Sequence, residues 1–322
     1  MSAEHLNIVV TCSKRKTTEP PSDLHLRDVP GKSILERCEN WIDRLENRSQ
    51  KDETARDLYC GEHWSVCQEL PAVAQESGWD ATLWICSAGY GLIPADTHIS
   101  AYKATFAKGR EDSVVNTVNQ LPSVRGAKRR WWSRLSDWSG PLQNVPRSLL
   151  ELAQGFSNRP LLVVASESYL EAISADVMEA GSCLAEKELL MIVSAGADGI
   201  ANSETDDALL PVDARFRSHV GGTFSALNAR VTELLLTTYD TPELRLSKAR
   251  RLLENLSCDL PPLKTYDRAR QTDEEVRAFI RKELREDPHA SRTALLRRLR
   301  DTGRACGRER FNDLYRGLVD DS

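Results

Sequence analysis

The 322-residue chain is long enough for a large domain and a small one, and its 40 % hydrophobic content is enough to bury a core. A net charge of −5 argues against a protein that coats nucleic acid by bulk attraction, because such binding needs many Lys and Arg contacts to phosphates. No apolar run reaches the length of a membrane span, and the N-terminus has no secretion-signal pattern. The eight cysteines form no repeated C-x-x-C pairs, which favours reduced thiols. We therefore expect a cytoplasmic protein with no membrane partner.

Short apolar runs rich in β-branched residues alternate with helical patterns along the first 260 residues. The runs predict strands at residues 6–11, 82–86, 161–165 and 189–194. Helical patterns occupy residues 33–47, 64–77, 148–154, 169–180, 223–237 and 242–256. This alternation predicts an α/β domain with a mainly parallel sheet flanked by helices. Ligands of such sheets bind where strands end and the strand order reverses.

The first predicted strand runs directly into a thiol followed by cations. A neighbouring cation favours the thiolate, so Cys12 is a candidate nucleophile and Lys14 the cation that activates it. The alternative is that Cys12 is a small buried residue and the lysines lie in a solvated loop.

The other predicted strands also end in residues that can carry chemistry. The second ends at Cys86, Ser87, Gly89 and Gly91, where the backbone can approach a ligand closely or simply turn. The third and fourth are followed by carboxylates, Glu167 and Asp198, which are candidates for activating water.

The spacing of Cys60, His63 and Cys67 could be taken for a metal site. Structural zinc needs four nitrogen or sulfur ligands, and no second cluster accompanies these three. The sequence therefore predicts neither a metal nor a cofactor.

Residues 100–146 do not fit a strand–helix unit and predict an insertion or lid. Arg129, Arg130 and Trp132 are predicted DNA contacts, because cations can hold phosphates while an aromatic ring stacks on a base. The alternative is an amphipathic helix whose tryptophans pack on the core. Adjacent Trp131 and Trp132 cannot share one helix face, which favours burial of one of them.

Pro261 and Pro262 predict a boundary between an α/β domain of residues 1–260 and a small all-helical domain of residues 261–322. Helical patterns at 273–286, 292–301 and 308–318, with a capping box at Thr272 and a turn at Gly303, predict a helix-turn-helix-like DNA-binding module. Residues 292–316 contain eight arginines and three acidic residues. The predicted DNA contacts of the last helix are Arg308, Arg310 and Asn312.

Three motifs together resemble a bacterial and phage-associated family. They are a Cys-Ser-Lys-Arg-Lys strand end at residues 12–16, a Leu-Tyr-x-Gly helix start at 58–61, and a Ser-Ala-x-x-Gly-Leu strand end at 87–92 that is followed by Tyr102. Residues 221–223 and 227–228 give weaker support, so the resemblance covers mainly the first third of the chain. Within this family the sequence is most similar to the DpdC-like proteins of the 7-deazaguanine DNA-modification system.

The resemblance implies a uracil-DNA-glycosylase-like fold and hydration of the nitrile of 7-cyano-7-deazaguanine in DNA to the 7-amido form. The substrate base must then be flipped out of the duplex or single-stranded. Other proteins of such a modification cluster are candidate partners. The residues expected to hold the base are Ser13, Tyr59, Cys86, Ser87, Gly89, Gly91 and Tyr102, with Tyr59 or Tyr102 stacking on it.

Two other functions remain open. One is a DNA or nucleotide N-glycosidase on the same fold, in which Glu167 or Asp198 activates water and Cys12 is dispensable. The other is a non-catalytic DNA-binding protein, in which Arg308, Arg310 and Asn312 make the functional contacts.

Overall fold

A computed structural model describes residues 4–48, 53–116, 123–196, 206–262, 267–288 and 290–319. The chain divides into two compact units, Met1–Pro261 and Pro262–Ser322, so the division falls within the Pro261-Pro262 pair. Within the described ranges, no helix combines the length and the apolar character needed to cross a membrane.

The first unit is built on a five-stranded, mainly parallel sheet. Its strand order is β4-β3-β1-β6-β7, in which β1 is parallel to β3 and β6, β6 is parallel to β7, and β4 is antiparallel to β3. Two further strands, β2 and β5, form a separate antiparallel pair. In chain order the strands are β1 (Glu4–Thr11), β2 (Glu53–Thr54), β3 (Trp79–Ser87), β4 (Gly91–Pro94), β5 (His98–Ile99), β6 (Leu161–Val164) and β7 (Leu190–Val193).

Helices flank this sheet in two packed groups. In chain order they are α1 (Ile34–Glu46), α2 (Ala55–Leu58), α3 (Glu62–Glu76), α4 (Val124–Ser136), α5 (Leu149–Gly155), α6 (Glu167–Cys183), α7 (Arg217–Val220), α8 (Leu227–Thr238) and α9 (Leu246–Asp259). In one group α1 packs on α4, α4 on α6 and α6 on α5, while in the other α3 packs on α8 and on β3. Serine caps start several of these helices: the side chains of Ser33 and Ser148 accept hydrogen bonds from the third residue of α1 and α5.

The connections place a reversal of strand order at the carboxyl ends of β1 and β6. In the strand order, β3 and β4 lie to one side of β1, whereas β6 and β7 lie to the other side. The strand order therefore reverses between β1 and β6, which is where open α/β sheets bind ligands.

Residues 123–146 belong to the body of the first unit, contrary to the predicted insertion or lid. Helix α4 lies between α1 and α6, so two of its faces are covered and both adjacent tryptophans are buried. The indole nitrogen of Trp131 donates to the Ala88 carbonyl at 2.8 Å, and that of Trp132 donates to Asp176 at 2.8 Å. Trp132 is only 2 % exposed, so in this structure its ring offers no surface for the predicted stacking on a DNA base.

The second unit contains three helices around a small core of its own. They are α10 (Asp273–Glu286), α11 (Arg292–Asp301) and α12 (Arg308–Val319), and the core includes Ile280, Leu299 and Phe311. The capping box of Thr272 and Glu275 is present, and Gly303 adopts a positive φ of 77° after α11. A short parallel pairing of β8 (Ala269–Arg270) with β9 (Arg304–Ala305) was not part of the all-helical prediction.

Candidate active site

Cys12 directly follows β1, where the strand order reverses between β1 and β6. Its amide nitrogen donates to the Cys86 carbonyl at 3.1 Å, which continues the pairing of β1 with β3. Its Sγ lies 3.1 Å from the hydroxyl of Tyr169, a residue in the first turn of α6 just after β6. Both side chains are 8 % exposed. The geometry therefore joins a thiol and a phenol at the edge where ligands bind.

Tyr169 is suited to remain a hydrogen-bond donor toward this thiol. Burial, followed by the negative charge of an ionised Cys12, raises the pKa of Tyr169 well above its usual value. Phe106 packs edge-on against the Tyr169 ring, with ring centroids 5.1 Å apart, and limits its movement. A phenol that keeps its proton can stabilise negative charge on the sulfur by donating a hydrogen bond.

The cation beside the thiol is Lys16, which is half-buried, whereas Lys14 is exposed. Lys16 pairs with Tyr59 in an antiparallel bridge, and its Nζ lies 4.1 Å from the centre of the Tyr102 ring. Burial lowers the pKa of Lys16 to about 8, although the negative charge of ionised Cys12 opposes this shift. The structure thus places Lys16, and not the predicted Lys14, in the position of the cation that interacts with the thiolate.

The tyrosines predicted to stack on a base form a buried hydroxyl chain. The hydroxyl of Tyr102 lies 2.8 Å from that of Tyr59 and 2.7 Å from Ser87 Oγ. Ser87 Oγ also accepts hydrogen bonds from the amides of Gly89 and Tyr90, so these donors are already used. Burial raises the pKa of both Tyr59 and Tyr102 well above the usual value, so both stay neutral. Because Tyr59, Tyr102 and Ser87 are buried, none of them offers a surface on which a base could stack in this structure.

The two glycines after β3 serve packing and turning. A Cβ on Gly89 would lie 2.5 Å from the ring of Tyr102, so the absence of a side chain makes room for that ring. Gly91 has a positive φ of 73° at the start of β4. Cys86 is fully buried, and burial raises its pKa well above the usual value. It is therefore held as a neutral thiol and is a poor alternative to Cys12 as nucleophile.

The start of α3 borders the same edge of the sheet. The hydroxyl of Ser13 donates to the Cys60 carbonyl at 2.7 Å, and Nε2 of His63 donates to the Thr11 carbonyl at 3.1 Å. Burial lowers the pKa of His63, which favours its neutral form. Cys67 Sγ is 3.6 Å from His63 Nε2. The described residues contain no group of three His, Cys, Asp or Glu side chains that could hold a metal ion.

Of the two predicted carboxylates, Glu167 lies within the described chain. Glu167 is the first residue of α6 and is exposed, while Asp198 lies outside the described residues. Asn228 connects the strand ends instead: its Oδ1 accepts from the Ala195 amide and its Nδ2 donates to the Ala165 carbonyl, both at 2.8 Å. Asn228 therefore fixes the segments that follow β6 and β7.

The predicted DNA contacts differ in their availability. Arg129 Nε donates to Ser174 Oγ at 3.0 Å on α6, whereas Arg130 is exposed. In the second unit Arg308 is exposed and Asn312 is half-buried, and the two side chains line one cavity. Arg310 instead pairs with Asp273, with its Nε 2.7 Å from a carboxylate oxygen.

Sequence reasoning missed Lys16, Tyr169 and Asn228 as members of the site. Lys16 lies within the quoted strand-end motif, so the signal was present but could not distinguish it from Lys14. Tyr169 follows a predicted strand end by a few residues, yet its partner Cys12 is 157 positions away in sequence. Comparisons of the chain with models of known protein families, with curated proteins and with solved structures give no match.

Proposed function

We propose that the cluster around Cys12 is the active site of a DNA-modification enzyme that hydrates the nitrile of 7-cyano-7-deazaguanine to the 7-amido form. The observation that carries this proposal is the meeting of a thiol, a phenol and a half-buried lysine at the strand-order reversal. A nitrile carbon is electrophilic, and a thiolate is the side chain best suited to add to it.

The reaction consistent with this geometry has two stages. First the Cys12 thiolate attacks the nitrile carbon, and one π bond of the nitrile breaks as its nitrogen takes a proton from the Lys16 ammonium, giving a thioimidate. Water then adds to the same carbon, and collapse of the tetrahedral intermediate expels the Cys12 thiolate and leaves the amide. Lys16 regains a proton from the added water, so the net change is the gain of one water molecule.

The electrostatics of the cluster suit these roles. A lysine whose pKa is about 8 can give and recover a proton near neutral pH, which an ordinary lysine does poorly. The Tyr169 phenol, which keeps its proton, can stabilise negative charge on the sulfur both before attack and when it leaves. These two groups provide what a buried thiolate nucleophile needs: a donor and a cation.

Phe224 offers an exposed aromatic surface beside the start of α3. Its ring is 54 % exposed, and the amide of the preceding Thr223 donates to Glu62, the first residue of α3, at 3.0 Å. Because Tyr59 and Tyr102 are buried, Phe224 is the better candidate for stacking on an unpaired base. A uracil-DNA-glycosylase-like fold and the need for a flipped base remain part of this proposal.

The test uses an oligonucleotide that contains 7-cyano-7-deazaguanine, incubated with the protein and then digested to nucleosides for mass spectrometry. The proposal expects the modified nucleoside to gain the mass of one water molecule. Release of the free base would instead support the N-glycosidase, in which the exposed Glu167 would activate water. An unchanged oligonucleotide that nevertheless binds tightly would support a non-catalytic DNA-binding protein.

A further inference from the structure

The second unit carries a strongly basic surface formed by three separate segments of the chain. Two cavities adjoin there, with volumes of about 540 and 230 Å³, and they share Arg268 and Arg300 in their walls. The first cavity also includes Arg270 and Arg310. The second adds Arg292, Arg297 and Arg308. We call the surface formed by both cavities the arginine groove.

Hydrogen bonds to backbone carbonyls hold the shared wall of the arginine groove. Arg268 Nε donates to the Arg300 carbonyl at 3.2 Å, and Arg300 donates through one terminal nitrogen to the Cys306 carbonyl at 3.0 Å. Both acceptors are backbone carbonyls, so these two contacts orient the guanidinium groups. A guanidinium held in this way has less side-chain entropy to lose when it binds an anion.

Carboxylates compensate little of this charge. Asp301 is the single acidic residue among the described residues that line the two cavities, and its carboxylate is 3.9 Å from the exposed Arg297. Exposed pairs at such a distance contribute little. Arg310 is the exception, because Asp273 holds it at 2.7 and 2.5 Å.

The charge of the second unit differs in sign from that of the first. Residues 262–322 contain 15 Lys and Arg against 12 Asp and Glu, whereas residues 1–261 contain 28 against 36. An acidic protein with one basic unit directs polyanions to that unit. Guanidinium groups spread over two adjoining cavities match a polymer with repeated phosphates better than a single small anion, because each planar group can bind one phosphate with two hydrogen bonds.

We infer that the arginine groove binds the phosphodiester backbone of DNA, with Arg292 and Arg308 among its contacts and without Arg310. This replaces the predicted contact set of Arg308, Arg310 and Asn312 on one recognition helix. The arrangement draws on α11, on the start of α12 and on the β8–β9 pairing, so it fits backbone contact better than base reading by one helix. The inference relies on the proposed function only for the choice of DNA as the polymer.

The experiment measures binding of the full-length chain to a fluorescent duplex of arbitrary, unmodified sequence by anisotropy over a salt series. The test variant is Arg292→Gln/Arg308→Gln, and the matched control is Arg281→Gln/Arg285→Gln, which removes two exposed charges from α10. We expect the test variant to raise Kd by about tenfold or more and to reduce the salt slope by about 2, that is, about 0.9 for each lost phosphate contact. The control pair and Arg310→Gln should stay within about twofold of the wild type.

Equal weakening by the test and control pairs would overturn the inference, because it would show attraction by bulk charge alone. Competition by polyglutamate as effective as competition by unlabelled duplex would also overturn it, in favour of an acidic peptide as ligand. The four substituted arginines of the two pairs are exposed, so circular dichroism should show unchanged folding in both variants. Because the duplex carries no nitrile, this result is independent of whether the Cys12 site hydrates one.

Discussion

At the residue scale, the site depends on which of two lysines enters it. Lys14 and Lys16 lie two positions apart in the same motif, yet Lys14 is exposed while Lys16 packs over the ring of Tyr102. Sequence can place a cation near a thiol at a strand end, because the neighbouring positions are fixed by the chain. The sequence cannot show which of the two lysines packs against the tyrosines, because this depends on the pairing of Lys16 with Tyr59, 43 positions later.

Lys16→Met should lower the rate of nitrile hydration by about 10²- to 10⁴-fold, the usual contribution of a positioned proton donor. Lys14→Met, the matched control, should leave the rate within about twofold of the wild type. Since the donor must be protonated and its pKa is lowered to about 8, the wild-type rate should fall as pH rises through about 8. Rates measured over a pH series check this, and the assignment fails if Lys16→Met keeps the same decline.

At the element scale, the sequence predicted the parallel strands and most helices well. The apolar runs at β1, β3, β6 and β7 and the capping box at Thr272 are local signals that the structure confirms. The antiparallel strand β4 was missed because its four residues follow a turn at Gly91 and make no separate apolar run. Helix α4 was assigned to a lid because residues 100–146 do not fit a strand–helix unit, and only its packing on α1 and α6 shows where its side chains lie.

Trp132→Phe tests whether α4 is a core element or a DNA-binding one. The change removes the indole donor to Asp176, a carboxylate whose pKa burial raises, and leaves it with the amides of Leu149 and Leu150. We expect the free energy of unfolding to fall by about 1.5–3 kcal/mol, the contribution of one hydrogen bond to a carboxylate, while DNA affinity stays the same. Urea unfolding and anisotropy measure the two quantities, and a loss of affinity without a loss of stability would contradict the buried role.

At the scale of the whole molecule, the boundary at Pro261 separates two units that each have a hydrophobic core. Two adjacent prolines interrupt helices and sheets alike, so this feature can be read from sequence. The convergence of strand ends on one site was also predictable, because parallel strands end at the same edge. The arginine groove was not, since its arginines come from segments that only the folding of the second unit brings together.

Removal of residues 262–322 should leave a folded first unit that binds DNA more weakly than the full chain. The expectation follows from the separate cores and from the excess of acidic residues in the first unit. A cooperative thermal transition of residues 1–261, together with a raised Kd at the same salt concentration, would support it. If the shortened chain unfolds, or if its affinity for DNA is unchanged, the second unit is not a separate DNA-binding unit.

The rate of nitrile hydration by Cys12→Ala tests the central claim most directly. Replacement of Cys12 by Ala removes one sulfur atom, which lies 3.1 Å from the Tyr169 hydroxyl, so the variant should fold normally. Cys258→Ala, which changes an exposed thiol, is the control and should keep the wild-type rate. If Cys12 is the nucleophile, the rate should fall by at least about a thousandfold, as when other covalent nucleophiles are removed. A well-folded Cys12→Ala protein that hydrates the nitrile at the wild-type rate would contradict the account.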